Sequence, residues 1–156
     1  MARKTKPLEE RFWAKVDKTG ACWLWTGCLN NMGYGKIKVD GKDRYAHRVS
    51  ASLAYGPIPD GMTVDHKCHT PACVNPAHLR VATYKQNAEN RSGAMKNSAT
   101  GIRGVWWDKR KKRWFARVNH RGKIIHAGMF TNIADAEAAV IAKRRELFTH
   151  SDMDAA

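Results

Sequence analysis

No stretch of this 156-residue chain is apolar over the length needed to cross a bilayer, and Met1-Ala2-Arg3-Lys4-Thr5-Lys6 lacks the hydrophobic run of a secretory signal. The expectation is a cytoplasmic protein with no membrane partner. No internal repeat is present, so the chain is not a repeat array. No helix pairs a basic face with a broad apolar one, which argues against a membrane surface as the target of its basic residues. Cysteines number only four (Cys22, Cys28, Cys68, Cys73). In a reducing compartment, such residues near histidines read first as metal ligands and only then as disulfides. At this length the chain is one domain or two small ones, and a small one has too little core to be comfortable alone. Some staple is expected.

What is abundant is positive charge. The formal net charge is +14, and it is shared: residues 1–92 carry 15 Lys/Arg against 8 Asp/Glu, and residues 93–156 carry 13 against 6. A surplus of this size in both halves favours a polyanionic partner, most simply nucleic acid, with binding that falls steeply with salt.

Leu8, Phe12, Trp13 and Val16 fall at helical spacing, and Lys18-Thr19-Gly20 ends the run, so a short packing helix is expected over Leu8 to Val16. Cys22 to Trp25 reads as a strand, Asn30-Asn31-Met32-Gly33 as a turn and Tyr34 to Val39 as the hairpin partner, with Asp40-Gly41 opening another turn. His47 to Tyr55 is a helix stopped by Gly56-Pro57. Thr63 to His66 is a short strand, an irregular loop runs through Pro76, a second strand covers Leu79 to Ala82, and a helix begins near Thr83. Residues 91–100 are small and polar without apolar period, which marks a linker. The expected division is a first domain over 1–92, a linker over 93–100, a second domain over 101–150 and a tail over 151–156. In the second domain Gly104 to Trp107, Arg113 to Asn119 and Lys123 to Phe130 read as strands, and Ala134 to Phe148 as a helix with Ala136, Ala139, Val140, Lys143 and Leu147 along one side.

The chemistry concentrates between Val64 and Asn87. Cys68, Cys73 and His78 stand five residues apart in turn, soft donors that suit a closed zinc site, whereas Asp65, His66 and Asn87 are a carboxylate, a base and an amide that suit magnesium and phosphate. Cleaving a phosphodiester needs a water stripped of its proton, in-line attack on phosphorus and positive charge beside the departing 3′ oxygen. A neutral imidazole near pH 7 suits the first task. Asp65 and the side-chain carbonyl of Asn87 leave most of an octahedral magnesium shell to water and substrate. Asp65 and His66 are neighbours on a strand, where side chains alternate, so a twist or bulge is expected there to bring both to one phosphate. Tetrahedral zinc needs a fourth donor beside Cys68, Cys73 and His78; Cys22 and Cys28 are the candidates. A zinc ion acting in catalysis itself would leave Asp65 and Asn87 without a task.

The Asp65-His66 pair, the Asn75-Pro76-Ala77-His78-Leu79 segment and Asn87 on a following helix resemble the HNH, or ββα-metal, nucleases, closest to their homing-endonuclease branch. The likeness covers about residues 20–92. The interval His66, Cys68, Cys73, His78, Asn87 also resembles the His-Cys box homing endonucleases. The resemblance implies that His66 is the general base and that Asn87 holds the catalytic ion. It further implies a zinc cysteine on an upstream strand, which Cys22 matches better than Cys28; Cys28 and His69 are then bystanders. His78 departs from the simplest HNH pattern, which has asparagine there, and fits zinc. Tyr34 to Lys38 and Ala46-His47-Arg48 also resemble segments of this family, with Lys36 and Arg48 placed to hold phosphates. Trp23 and Trp25 read as core.

Gly101-Ile102-Arg103-Gly104-Val105, Trp114-Phe115-Ala116-Arg117-Val118 and Gly128-Met129-Phe130, with an alanine-rich helix at the end, resemble the AP2 DNA-binding domain. That family implies a three-stranded antiparallel sheet lying in the major groove and backed by the helix. The residues it implies for DNA are Arg103, Trp106, Trp114 and Arg117, to which Arg110, Lys112 and Arg113 add phosphate contacts; Trp106 stands where the family often has arginine. The fold expected is α+β, a zinc-stapled ββα-metal nuclease domain followed by a small three-stranded antiparallel sheet plus helix. The function expected is a magnesium-dependent DNA endonuclease of homing type, phage-borne or bacterial in setting. It acts on double-stranded DNA as a monomer or homodimer, nicks or cuts both strands, and leaves 5′-phosphate and 3′-hydroxyl ends. The rivals are a zinc-containing DNA-binding regulator without cleavage and a structure-selective junction nuclease.

Overall fold

The computed structural model describes residues 6–154 of the protein, and the chain divides into two compact units, Met1–Asn87 and Ala88–Ala156. The architecture is mixed α+β with small antiparallel sheets. Among the described residues, no helix is long and apolar enough to cross a membrane.

The first unit runs α1 (Leu8–Trp13), β1 (Val16–Asp17), β2 (Leu24–Trp25), β3 (Lys36–Val39), β4 (Lys42–Tyr45), α2 (Ala46–Tyr55), β5 (Met62–His66), a 3-10 turn (Pro76–His78), β6 (Leu79–Thr83) and α3 (Tyr84–Glu89). Its pairing differs from the sequence expectation in one respect. β2 pairs with β1, Val16 opposite Trp25, and β3 pairs instead with β4, Lys36 opposite Tyr45. The cause is the Asp40-Gly41 turn, whose positive φ angles of 50° and 76° match the tight two-residue hairpin turn that suits strand twist. β4 is Lys-Asp-Arg-Tyr, exposed throughout, so it carries no hydrophobic alternation to betray it. α1 stops at Trp13, and Val16, expected at its end, starts β1.

Phe12, Trp25, Ile37, Ala46, Val49 and Val74 form the main core of this unit. Trp25 lies so close to the chain at Gly35 that a Cβ there would stand 2.6 Å from Trp25 Cδ1 and 2.9 Å from Ala46 Cβ, which excludes any larger residue. A second cluster, Ala51, Val64 and Leu79 with Ile58 against it, fastens α2 to the β5–β6 hairpin. That hairpin is in regular register from Met62 opposite Thr83 to His66 opposite Leu79. Where it hands over to α3, Thr83 and Gln86 form a reciprocal cap. The Thr83 hydroxyl accepts from the Gln86 backbone N–H at 3.2 Å, and the Gln86 side chain accepts from the Thr83 N–H at 2.8 Å.

The second unit begins inside α3, earlier than the linker expected at 93–100. Glu89 and Asn90 are buried. Glu89 accepts from the Thr149 N–H and Asn90 from the Asp152 N–H, so packing draws this segment into the unit. β7 (Val105–Asp108), β8 (Arg113–His120) and β9 (Lys123–Phe130) make an antiparallel sheet with β8 in the middle and a register shift at Ala116/Arg117. α4 (Ile133–Leu147), capped by the Asn132 side chain on Ala134 N–H, covers one face. Val105, Ala116, Val118, Ala136 and Val140 are the core between them. Gly104, at φ +87°, is required because a Cβ would run into the Arg117 carbonyl and Val140. Arg144 on α4 grips Asp154 with Nε and Nη2, each at 2.7 Å, a two-pronged pair that ties down the C-terminal turn (Asp152–Asp154).

Candidate active site and metal centre

Three hydrogen bonds, two of them between backbone groups, bring a distant cysteine to the loop between β5 and the 3-10 turn. Trp25 N–H donates to Ala72 O at 2.9 Å, Val74 N–H donates to Trp23 O at 2.8 Å, and the Asn75 side-chain amide donates to Ala21 O at 3.0 Å. Cys22 sits among these ties, and its sulfur lies 3.5 Å from His78 Nδ1. Cys73 Sγ lies 3.7 Å from the same nitrogen. The donor atoms of Cys22, Cys68, Cys73 and His78 all fall within 4.8 Å of one another, and Cys28 is exposed elsewhere. The same Asn75 side chain accepts from Ala77 N–H at 3.0 Å, which caps the turn that aims His78. Burial, with Cys68 and Cys22 crowding it, pushes the Cys73 thiol up to about 12. Thiols so placed ionise together only when a cation is shared, and three sulfurs with one imidazole are a donor set suited to tetrahedral zinc.

His66 ends β5, buried at 8% exposure. Its Nε2 lies 3.0 Å from the Cys73 carbonyl oxygen. A carbonyl only accepts, so Nε2 carries the hydrogen and Nδ1 is the basic nitrogen. Burial lowers its pKa from the ordinary value, outweighing the opposing pull of the Cys73 carbonyl and Asp65, so the ring is neutral near pH 7. Against it stands a second imidazole, His47 of α2, with ring centroids 4.7 Å apart. Tyr34 lies 5.9 Å from His66 and 5.4 Å from His47. In the sequence His47 stands only within the Ala46-His47-Arg48 segment, and its place at the start of a helix, two residues after Tyr45, holds no sign that it meets His66.

The expected bulge at Asp65 and His66 is absent. The β5–β6 register is continuous, with Asp65 opposite Arg80 and His66 opposite Leu79, so the two neighbours follow strand alternation. Asp65, 5% exposed, accepts on Oδ2 from Arg80 Nε at 2.9 Å and from Nη2 at 2.7 Å. Asn87 is exposed on α3, one position beyond the capping glutamine. A carboxylate and an amide carbonyl are hard oxygen donors of the kind magnesium takes. Lys36 is half-buried on β3. Arg48 reaches the Met62 carbonyl at 3.4 Å, at the far end of β5 from His66, about 13 Å away along a strand rising 3.3 Å per residue.

In the second unit, the open face of the sheet carries Trp106 stacked on Phe115 at 5.2 Å, with Arg117 over Trp106 at 4.6 Å and Lys111 over Phe115 at 5.2 Å. Arg110, Lys112 and Arg113 are exposed in and beside the β7–β8 turn, which Asp108 fastens through the Arg110 and Lys111 N–H groups. Two expected DNA contacts are otherwise engaged. Arg103 donates to the Ala88, Glu89 and Arg91 carbonyls and lies over Phe148, so it is a clasp within the unit. Trp114 packs on the unit's own core and against Trp107 at 4.8 Å. Alternation along β8 decides this, since Trp114 shares the covered face with Ala116 while Phe115 takes the open one.

The sequence profile of the HNH endonuclease family matches residues 44–89, from β4 to the end of α3. Protein 2.8 of Escherichia phage T7 is 39% identical over 84 residues, covering 52% of this chain and 57% of that one. Protein 7.7 of the same phage is 44% identical over 69 residues, 44% of this chain and 53% of that one. Protein 3.8 is 32% identical over 94 residues, 60% of this chain and 76% of that one. The chain thus spans a little over half the length of the first two. No solved structure matches it.

Proposed function

The chain belongs to the same family as Protein 3.8 of phage T7 and carries an HNH endonuclease domain, and from that premise we propose that it is a magnesium-dependent DNA endonuclease with His66 as general base. The observation that carries this reading is the buried, neutral His66 ring with Nε2 spent on the Cys73 carbonyl, which leaves a basic Nδ1 at a fixed orientation. Nδ1 takes a proton from water, the oxygen attacks phosphorus, and the bond to the 3′ oxygen breaks; that oxygen takes a proton from solvent and His66 returns its own to solvent, leaving 5′-phosphate and 3′-hydroxyl ends. Asp65 and the Asn87 side-chain carbonyl would hold a magnesium ion, which when bound would supply positive charge to the phosphate. Asp65 is steadied by Arg80, and the Thr83–Gln86 cap fixes the turn that carries Asn87. Cys22, Cys68, Cys73 and His78 would hold a structural zinc ion, which would keep the Cys73 carbonyl under His66.

The second unit is read as an AP2-like sheet that grips duplex DNA by its open face, with Trp106, Phe115 and Arg117 towards the groove and Arg110, Lys112 and Arg113 on phosphates; the charge and exposure of that face support it. Lys36 adds a phosphate contact in the first unit. Relatives encoded by a phage support a mobile, homing-type enzyme. Plasmid DNA with magnesium tests the reading. Wild type converts supercoiled to nicked or linear DNA, and His66→Ala stops conversion while leaving the gel shift intact. A wild type that binds but never cuts, with any divalent ion, is a zinc-bearing regulator instead.

A further inference from the structure

His47 is buried, 6% exposed, yet its Nδ1 has no hydrogen-bond partner. A buried polar atom left unpaired is destabilising, and a phenylalanine would fill the place without that cost. The ring is hemmed by His66 at 4.7 Å, Tyr34 at 5.4 Å and Tyr45 at 5.6 Å, so it stands beside the base and is not among the zinc donors. Burial first, then the neighbouring His66 and Arg48, push its pKa down to about 3. It is neutral at neutral pH and stores no proton, so a relay from His66 is not its chemistry. What a neutral imidazole offers is one N–H and one lone pair, and what a phosphodiester offers is oxygens that only accept. The tautomer that satisfies both has the hydrogen on Nδ1.

We infer that His47 is a second imidazole of the active site, whose Nδ1–H donates to a non-bridging oxygen of the phosphodiester cut beside His66. This rests on the reading of His66 as the base. A neutral donor in a dry site stabilises charge that grows on the phosphate during attack, and removing one such donor costs on the order of a hundredfold in rate.

Single-turnover cleavage of plasmid DNA with magnesium tests it, in the full chain, with zinc content and gel-shift affinity measured alongside. His47→Phe keeps a ring and removes the donor, and its rate is expected to fall at least tenfold with zinc and affinity unchanged. His47→Asn places an amide N–H near the position of Nδ1, and is expected to recover much of the rate, whereas His47→Gln, whose amide falls nearer Nε2, is not. A wild-type rate in His47→Phe overturns the inference, as does a zinc-loaded His47→Asn as slow as His47→Phe. Loss of zinc from both variants overturns it too, because the ring then serves as core. His66→Ala keeps the two readings apart: if it still cuts, the base assignment fails, whereas an inert His66→Ala beside a fully active His47→Phe removes only the role given to His47.

Discussion

Arg80 holds Asp65 by two donors on a single oxygen, Nε at 2.9 Å and Nη2 at 2.7 Å from Oδ2. A guanidinium there is the counter-charge of a nearly buried carboxylate in the metal-free chain. Arg80→Ala removes it and destabilises the first unit by on the order of 2–4 kcal/mol, less than for a fully buried pair because the arginine is partly exposed. Millimolar magnesium should narrow that gap if Asp65 is an ion ligand, since the ion replaces the lost charge. Thermal unfolding of both proteins with and without magnesium checks this, and equal shifts in the two would remove Asp65 from the metal site.

Zinc loading should separate the two upstream cysteines. Cys22→Ser is expected to lose bound zinc, and Cys28→Ser to keep it at one ion per chain, because only the former lies among the other donors. A chelator should unfold the first unit while the far-ultraviolet signal of the second persists. Atomic absorption and circular dichroism read both outcomes.

Asn75 works twice, capping the turn before His78 and reaching across to Ala21. Asn75→Ala should weaken zinc by about tenfold to a hundredfold, as loss of an outer-shell partner does, and lower stability by roughly 1–2 kcal/mol, as loss of a cap does. A competition titration with a chromophoric chelator gives the zinc affinity directly. Unchanged affinity would make Asn75 a capping residue only.

His47 predicts a pH effect on stability. Its folded pKa of about 3 lies below the ordinary 6.5. Between those values the unfolded chain takes up a proton and the folded chain does not, so stability is full above pH 6.5 and drains as pH falls towards 3. The slope contributed approaches about 1.4 kcal/mol per pH unit for one proton. Chemical denaturation of zinc-loaded wild type and His47→Phe from pH 7 to 5 should show a shallower loss in the variant; parallel curves would mean the imidazole is protonated in place.

Arg103 and Arg117 should part company although both lie in the basic second unit. Arg103→Ala loosens the clasp on the Ala88, Glu89 and Arg91 carbonyls and lowers the melting temperature. Arg117→Ala leaves stability nearly unchanged and weakens DNA binding, with a salt slope smaller by about one if it meets a phosphate, or relaxed sequence preference if it meets a base. Melting curves and salt-dependent gel shifts of the two variants decide it.

The nuclease-like hairpin was legible because its residues are locally dense. Thr63 to His66, Leu79 to Ala82 and the helix after Thr83 lie within one or two residues of β5, β6 and α3. The sheet of the second unit was legible for the same reason, since its strands alternate and its turns carry Gly or basic residues. β4 was not, because Lys42 to Tyr45 buries nothing and strand pairing there is decided by a turn. Glu89 and Asn90 read as the end of the first domain, because their partners Thr149 and Asp152 are some sixty residues away. His47 and His66 are likewise nineteen positions apart, on a helix and a strand, and periodicity says nothing about such meetings. For Arg103 and Trp114 a family pattern names residue types and not the face on which each falls, so their contacts within the unit are not legible in it.

Cys22 and His78 are 56 positions apart, and this span sets when the four-donor cluster becomes complete during synthesis. The first donor leaves the ribosome long before the last, and until the last emerges a nascent copy has no cage in which to hold its ion. Asn87 follows His78 by only nine residues. The last of the four clustered donors and Asn87 therefore emerge almost together.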